Sequence, residues 1–298
     1  MIQYNPKTWL SLIFDVYSRY VIRLLFPLIL FIAIYTTFLC YFIIDYFQFE
    51  FGGTLAVHSI MGVVLGLFLV IRTNTAYDRW WEGRKLWGKL VNDTRNMALR
   101  LNAYLPADDL ETRAFFSRMI PNIAFAMKGH LRDSIMVGEL EFVNDGMREE
   151  IVSSAHRPNI INRSMYNRTQ KLYRDGVLSG EQLFLVDKEI KAYTDIIGAC
   201  ERIKNTPIPY SYSMFIKKFI FVYNMTLPFG FMWSIGYATI PIVIMVFYFL
   251  VSIELIAEEI EDPFGKDVND LPLDSLCVKI KDNVQEIFTL PTASNTKA

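Results

Sequence analysis

The chain has 298 residues, 52% hydrophobic and 15% aromatic, with a mean hydropathy of +0.24, more apolar than the roughly 45–50% of soluble domains. A net charge of −1 excludes the basic footprint of a nucleic-acid binder, and three widely separated cysteines, Cys40, Cys200 and Cys277, exclude a disulfide framework or a CxxC zinc site. Charged residues make up 20% of the chain but are unevenly spread, so a polar part accompanies the apolar one.

Residues 2–20 mix Lys7, Asp15 and Arg19 with Trp9, Leu10, Leu12, Ile13 and Phe14, which reads equally as a segment lying along a membrane surface or as one packed on protein. Residues 24–44 carry no charge and are about long enough to cross a hydrocarbon core as a helix. Residues 51–71 form a second such run, with His58 its one ionisable side chain. The uncharged run 219–253 is too long for one crossing and holds Gly236 and Pro241 at its middle, predicting a third and a fourth span joined by a tight turn. The loops 45–54 and 234–241 contain no Lys or Arg, whereas Lys7, Arg19, Arg23, Arg72, Arg79, Arg84, Lys85, Arg202, Lys204, Lys217 and Lys218 crowd the other ends of the spans. By the positive-inside rule both termini and the middle segment are cytoplasmic. Four N-x-S/T matches, at Asn92, Asn162, Asn167 and Asn224, are short enough to arise by chance.

The middle segment is long and polar enough for a helical domain of its own. Helical spacing of Trp80, Trp81, Leu86, Trp87, Leu90 and Val91 predicts a helix from about 75 past 99. A second is predicted over about 109–131, entered through Asp108, Asp109 and Glu111, whose charges suit a helix N-terminus. Others are predicted over about 162–174 and 179–203, the latter capped by Ser179. Pro207 and Pro209 then break the chain. The resulting division is 1–72 (amphipathic segment and first two spans), 73–213 (cytoplasmic helices), 214–256 (third and fourth spans) and 257–298 (acidic loop and tail).

No P-loop, GxSxG, HExxH or Gly-rich dinucleotide turn is present, and His58, His130 and His156 read as too dispersed for a metal cluster. The chain is therefore not expected to be an enzyme. In the second span Ser59, Val63, Leu67 and Ile71 recur every four residues, forming one slowly drifting stripe, beside which Gly62 and Gly66 flatten the helix for close approach. An ordinary packed or lipid-facing helix would share this pattern. Repeated around an axis, Val63, Leu67 and Ile71 would form three apolar rings over about 12 Å, a constriction that can gate by dewetting. After the fourth span, Glu259, Asp262, Asp267, Asn269 and Asp270 surround a Pro-Phe-Gly turn. That is either a loop for a hard cation such as calcium or a solvated acidic helix end.

The blocks RTNTAYDRWWEGRKLWG (72–88), CERIKNTPIPY (200–210) and EEIEDPFG (258–265), in this order of spans, resemble the bestrophins, in particular their bacterial members. The resemblance implies an all-α membrane protein with four transmembrane segments per subunit and a helical cytoplasmic domain, assembled as a homo-pentamer in the cell (inner) membrane. It implies passive conduction of chloride or other small anions through one axial pore, with a monovalent cation such as sodium as the alternative. Position by position, it places the pore neck at Val63, Leu67 and Ile71 and a cytoplasmic aperture at Ile190. It requires no cofactor, and it lays Glu259, Asp262, Asp267 and Asp270 on the loop that binds calcium in animal members. Glu261 and Lys266 depart from the animal pattern. Outside this family, a membrane scaffold would show no flux, and a transporter usually presents polar residues at midplane, of which the second span offers only His58 and Ser59.

Overall fold

The computed structural model describes residues 16–48, 55–134 and 137–289. The amphipathic segment expected over 2–20 lies largely outside the described residues, as do positions 49–54 of the first interspan loop. Every regular element among the described residues is helical: α1 (Val16–Cys40), α2 (Leu55–Tyr104), α3 (Leu110–Leu131), α4 (Asp145–Ser153), α5 (Arg157–Arg174), α6 (Gly180–Asn205), α7 (Tyr210–Thr226), α8 (Pro228–Ile235), α9 (Thr239–Glu261) and α10 (Leu273–Thr289), with short 3₁₀ and π turns between some of them. Two compact units result. The first comprises the described residues of Met1–Trp80, Pro207–Asp262 and Asp267–Asn269, the second those of Trp81–Thr206, Pro263–Lys266 and Asp270–Ala298.

In the first unit, three stretches are long and apolar enough to cross a membrane: Tyr20–Tyr46, the start of α2, and Tyr210–Glu261. The last is the predicted hairpin. Pro228 opens α8 after α7, and the chain turns at Gly236, whose φ of +58° disfavours any residue with a Cβ. α9 returns against α1, α7 and α8. Ile32, Leu227, Val243 and Phe247 form one buried cluster there, and Leu65, Leu69, Ile216 and Ile220 another. Pro27 sits inside α1, as membrane helices allow. Ile22, Leu24, Phe26, Leu28, Phe31, Ile34 and Phe38 of α1 are left exposed, far more apolar surface than a water-soluble face carries. With these helices the chain is an all-α membrane protein.

The second unit is built on α3, whose residues from Met119 to Gly129 are all buried, with α5, α6 and α10 packed on it. Its helix starts follow the side chains. Asp109 accepts from the Thr112 amide (3.0 Å) and Ser179 forms a reciprocal capping box with Gln182, as the acidic run and the serine predicted. α5 begins at Arg157 rather than near Asn162, because His156 caps it and Pro158 suits its first turn. Two helices were not predicted. α4 is a short segment capped by Asn144. α10 is an amphipathic helix burying Leu273, Cys277, Ile280 and Val284, at the i, i+4, i+7 spacing of one helical face. The tail 257–298 is thus more than an acidic loop.

Lys128 is buried within this unit and donates to Glu139 (2.7 Å) and Asp274 (2.8 Å), while Arg132 holds the other Asp274 oxygen (2.7 Å). Burial raises the Asp274 carboxyl's pKa, but the hydrogen bonds and charges of Arg132 and Lys128 outweigh it and hold the group at about 2. Burial pushes the thiols of Cys200 and Cys277 up to about 12. These two are inert thiols filling helix faces.

Candidate pore-lining helix and its anchor

α2 is one unbroken helix with no proline, so the second span and the first predicted middle helix are a single element. Its two faces differ in what covers them. Leu65, Leu69, Arg72 and Ala76 are buried, spaced by four, three and four residues. Val63, Leu67 and Ile71 stand about 200° from Leu65 and Leu69 around the helix and are 67%, 61% and 54% exposed. Ser59 shares their stripe and satisfies its hydroxyl on the Leu55 carbonyl at 2.9 Å. Of the two flattening glycines, Gly62 works as predicted: a Cβ there would lie 2.8 Å from the Tyr223 hydroxyl, so its absence lets α7 come close. Gly66 meets nothing within 4 Å.

One residue past the stripe, the chain places a positive charge. Arg72 is 1% exposed, with Nε 3.4 Å from Glu254 and one terminal nitrogen 2.7 Å from Glu261. Glu261 is the hub of the arrangement. Its other carboxylate oxygen accepts from the Ile208 amide (2.8 Å), and its backbone carbonyl accepts from Arg79 Nε (3.0 Å). Trp80 Nε1 donates to the Asn269 carbonyl (2.9 Å), and Asn269 Nδ2 donates to Glu259 (2.7 Å). The blocks 72–88, 200–210 and 258–265, far apart in sequence, therefore meet at one carboxylate. Neither Glu254 nor Glu261 was singled out as a partner of Arg72, although an Arg directly after an apolar span and acidic residues in the last turns of another were available as a signal.

The remaining expected site residues fall as follows. Glu259 lies in the last turn of α9, Asp262 caps its end, and Asp267 and Asp270 lie in the turn before α10. Ile190 is fully buried within α6 of its own unit. The resemblance sets this position at a cytoplasmic aperture, and within the single chain its side chain is packed in the core. The exposed large apolar side chain on that helix is Phe184, at 70%. Histidine also departs from expectation: His130 and His156, read as dispersed, are brought together with Glu201.

The family model described as Bacterial/Fungal Bestrophin protein matches residues 1–286. The chain belongs to the bestrophin family. A voltage-dependent anion channel-forming protein of Nostoc sp. is 38% identical to this bestrophin over 235 residues, covering 78% of this chain and 76% of the relative. A protein of the same description from Salmonella typhi is 30% identical over 94% of this chain and 92% of its own. The crystal structure of a bacterial bestrophin homologue from Klebsiella pneumoniae superposes with a TM-score of 0.82 at 26% identity, covering 88% of this bestrophin and 97% of that chain. Family and relatives are channel-forming proteins, not enzymes.

Proposed function

We propose that five copies of this chain surround one axial path that conducts chloride or other small anions passively, with Val63, Leu67 and Ile71 forming its apolar neck. The observation that carries the reading is the exposure of these three side chains on a helix whose opposite face is packed. Three large apolar residues in register, left open by their own subunit, suit either lipid or a ring of copies. The buried Arg72 immediately following favours the ring, because it fixes the height and rotation of this helix more tightly than a lipid-facing helix requires. The names of the relatives support anions over cations.

In this reading the chain crosses the cell membrane four times, through α1, α2, the α7–α8 leg and α9, with both termini cytoplasmic, as the placement of Lys and Arg favours. Lipid covers the exposed face of α1. The rings carry no charge, so selectivity resides in the wider vestibules and in the helix dipoles facing them. Calcium at Glu259, Asp262, Asp267 and Asp270 is proposed as a modulator, with chelation and Asp267→Ala both expected to change the current. Loss of both effects would remove calcium from the mechanism.

The test is reversal-potential recording of the purified protein in a planar bilayer under asymmetric sodium chloride. An anion channel reverses toward the chloride equilibrium potential; reversal toward that of sodium would make it a cation channel, and absence of current would leave a scaffold. Changing Val63, Leu67 and Ile71 together to Ala is expected to raise open probability without unfolding the subunit, since their side chains are mostly uncovered. Unaltered gating would refute the neck assignment.

A further inference from the structure

The second unit contains a cluster that conduction does not use. His130, in the last turn of α3, His156, the cap of α5, and Glu201, near the end of α6, come from three separate helices. His130 Nε2 is 2.7 Å and His156 Nε2 2.9 Å from the same Glu201 oxygen, Oε1. The imidazole ring centres are 4.5 Å apart, and the three donor atoms all lie within 4.8 Å of one another. Among the described residues this is the one group of three or more His, Cys, Asp or Glu side chains that converges in this way.

We propose that His130, His156 and Glu201 bind a first-row divalent transition ion, with Zn²⁺ the best match. Two imidazole nitrogens and one carboxylate oxygen are the donors such ions prefer, whereas calcium takes oxygen ligands alone. Three protein ligands leave a fourth position for water. The side chains are 25%, 31% and 29% exposed, so an ion reaches them from solvent without unfolding the unit. Neighbouring Lys204 is engaged by Asp133 at 2.7 Å, which leaves Glu201 to the histidines. Ligation through Nε2 puts the remaining ring proton of His156 on Nδ1, which faces the Asn159 amide at 3.3 Å. That contact is given up on loading, and at its length it is a weak cap. A bound ion would tie α3, α5 and α6 together at one point, adding metal–ligand bonds to the hydrogen bonds that already link them.

The experiment is calorimetric titration of the full chain, stripped with chelator and held in detergent, with ZnCl₂. The wild type is expected to take one ion per subunit, and Glu201→Gln and the double variant His130→Ala/His156→Ala none. Cys200→Ser, which removes the adjacent thiol, is expected to bind as the wild type does. Cobalt(II) loading supplies a reading independent of variant folding: visible d–d bands without the near-ultraviolet charge transfer of a cobalt–thiolate bond. Failure of the wild type to bind zinc stoichiometrically would overturn the proposal and leave two imidazoles donating to one carboxylate. Undiminished binding by Glu201→Gln, or a thiolate band, would overturn the ligand assignment.

Discussion

Replacing Arg72 by Met strips the charge from the anchor beside the proposed neck while keeping the volume of an unbranched side chain. Arg72 is 1% exposed, and its partners Glu254 and Glu261 expose 5% and 15% of their side chains, so both carboxylates would be left largely out of water without this cation. Breaking a buried ion pair by removing one partner costs about 3–5 kcal/mol. At about 2–4 °C per kcal/mol, the range for a domain of 150–250 residues, that lowers the melting temperature by roughly 6–20 °C. Glu261→Gln is the milder change, because the amide oxygen still accepts from the Ile208 amide and Arg72 keeps Glu254. The decisive comparison is the double variant Arg72→Met/Glu254→Gln, which removes one of the stranded charges and should recover part of the loss, with a coupling of about 0.5–3 kcal/mol. The assay is thermal unfolding of the detergent-solubilised protein, followed by size-exclusion recovery. If Arg72→Met melts with the wild type, or if Glu254→Gln deepens its loss, charge compensation is not what holds this helix.

In the second unit, Asp274→Asn should destabilise at neutral pH and converge on the wild type in acid. The folded pKa of Asp274 is depressed to about 2, so its contribution is fully present above the unfolded carboxylate value of about 3.9 and is lost as pH falls through about 2; denaturant titrations at pH 7 and pH 2 check it. Gly129→Ala should cost about 1–3 kcal/mol, because its Cβ would meet the Ser134 carbonyl oxygen at 2.8 Å. By contrast Gly198→Ala, an exposed α6 position with nothing within 4 Å, should gain about 0.5–1 kcal/mol. Opposite shifts in melting temperature for this pair are the check.

Where local chemistry decides, the sequence was legible. Charge-free runs marked the membrane helices, Gly236 marked the hairpin, and Asp109 and Ser179 marked helix starts that their side chains indeed cap. α10 was also legible, since Leu273, Cys277, Ile280 and Val284 keep helical spacing, but the acidic residues just before it drew the reading toward a loop. What could not be read was which faces are covered. Ile190 and Phe184 lie on one helix, and nothing in their spacing tells the buried residue from the exposed one. The His130–His156–Glu201 cluster is invisible for the same reason: its members are 45 and 71 positions from Glu201, and only the packing of α3, α5 and α6 joins them.

The three blocks that carried the family resemblance gain a physical reason from Glu261. Glu261 accepts through its carboxylate from a guanidinium on one helix and from the backbone amide between two prolines, and through its backbone carbonyl from Arg79, so it links those positions. Chain segments satisfying this linkage must keep an Arg after the apolar span, an amide between Pro207 and Pro209, and an acid at the end of α9. The proposed neck residues are under no such constraint from their own subunit, because their side chains are more than half exposed. In the proposed channel Val63, Leu67 and Ile71 act through what faces them across the pore, whereas Arg72 and Glu261 act within one chain. Substitutions in the two sets should separate cleanly: anchor variants change melting temperature first, and variants of the proposed neck change current with little change in melting.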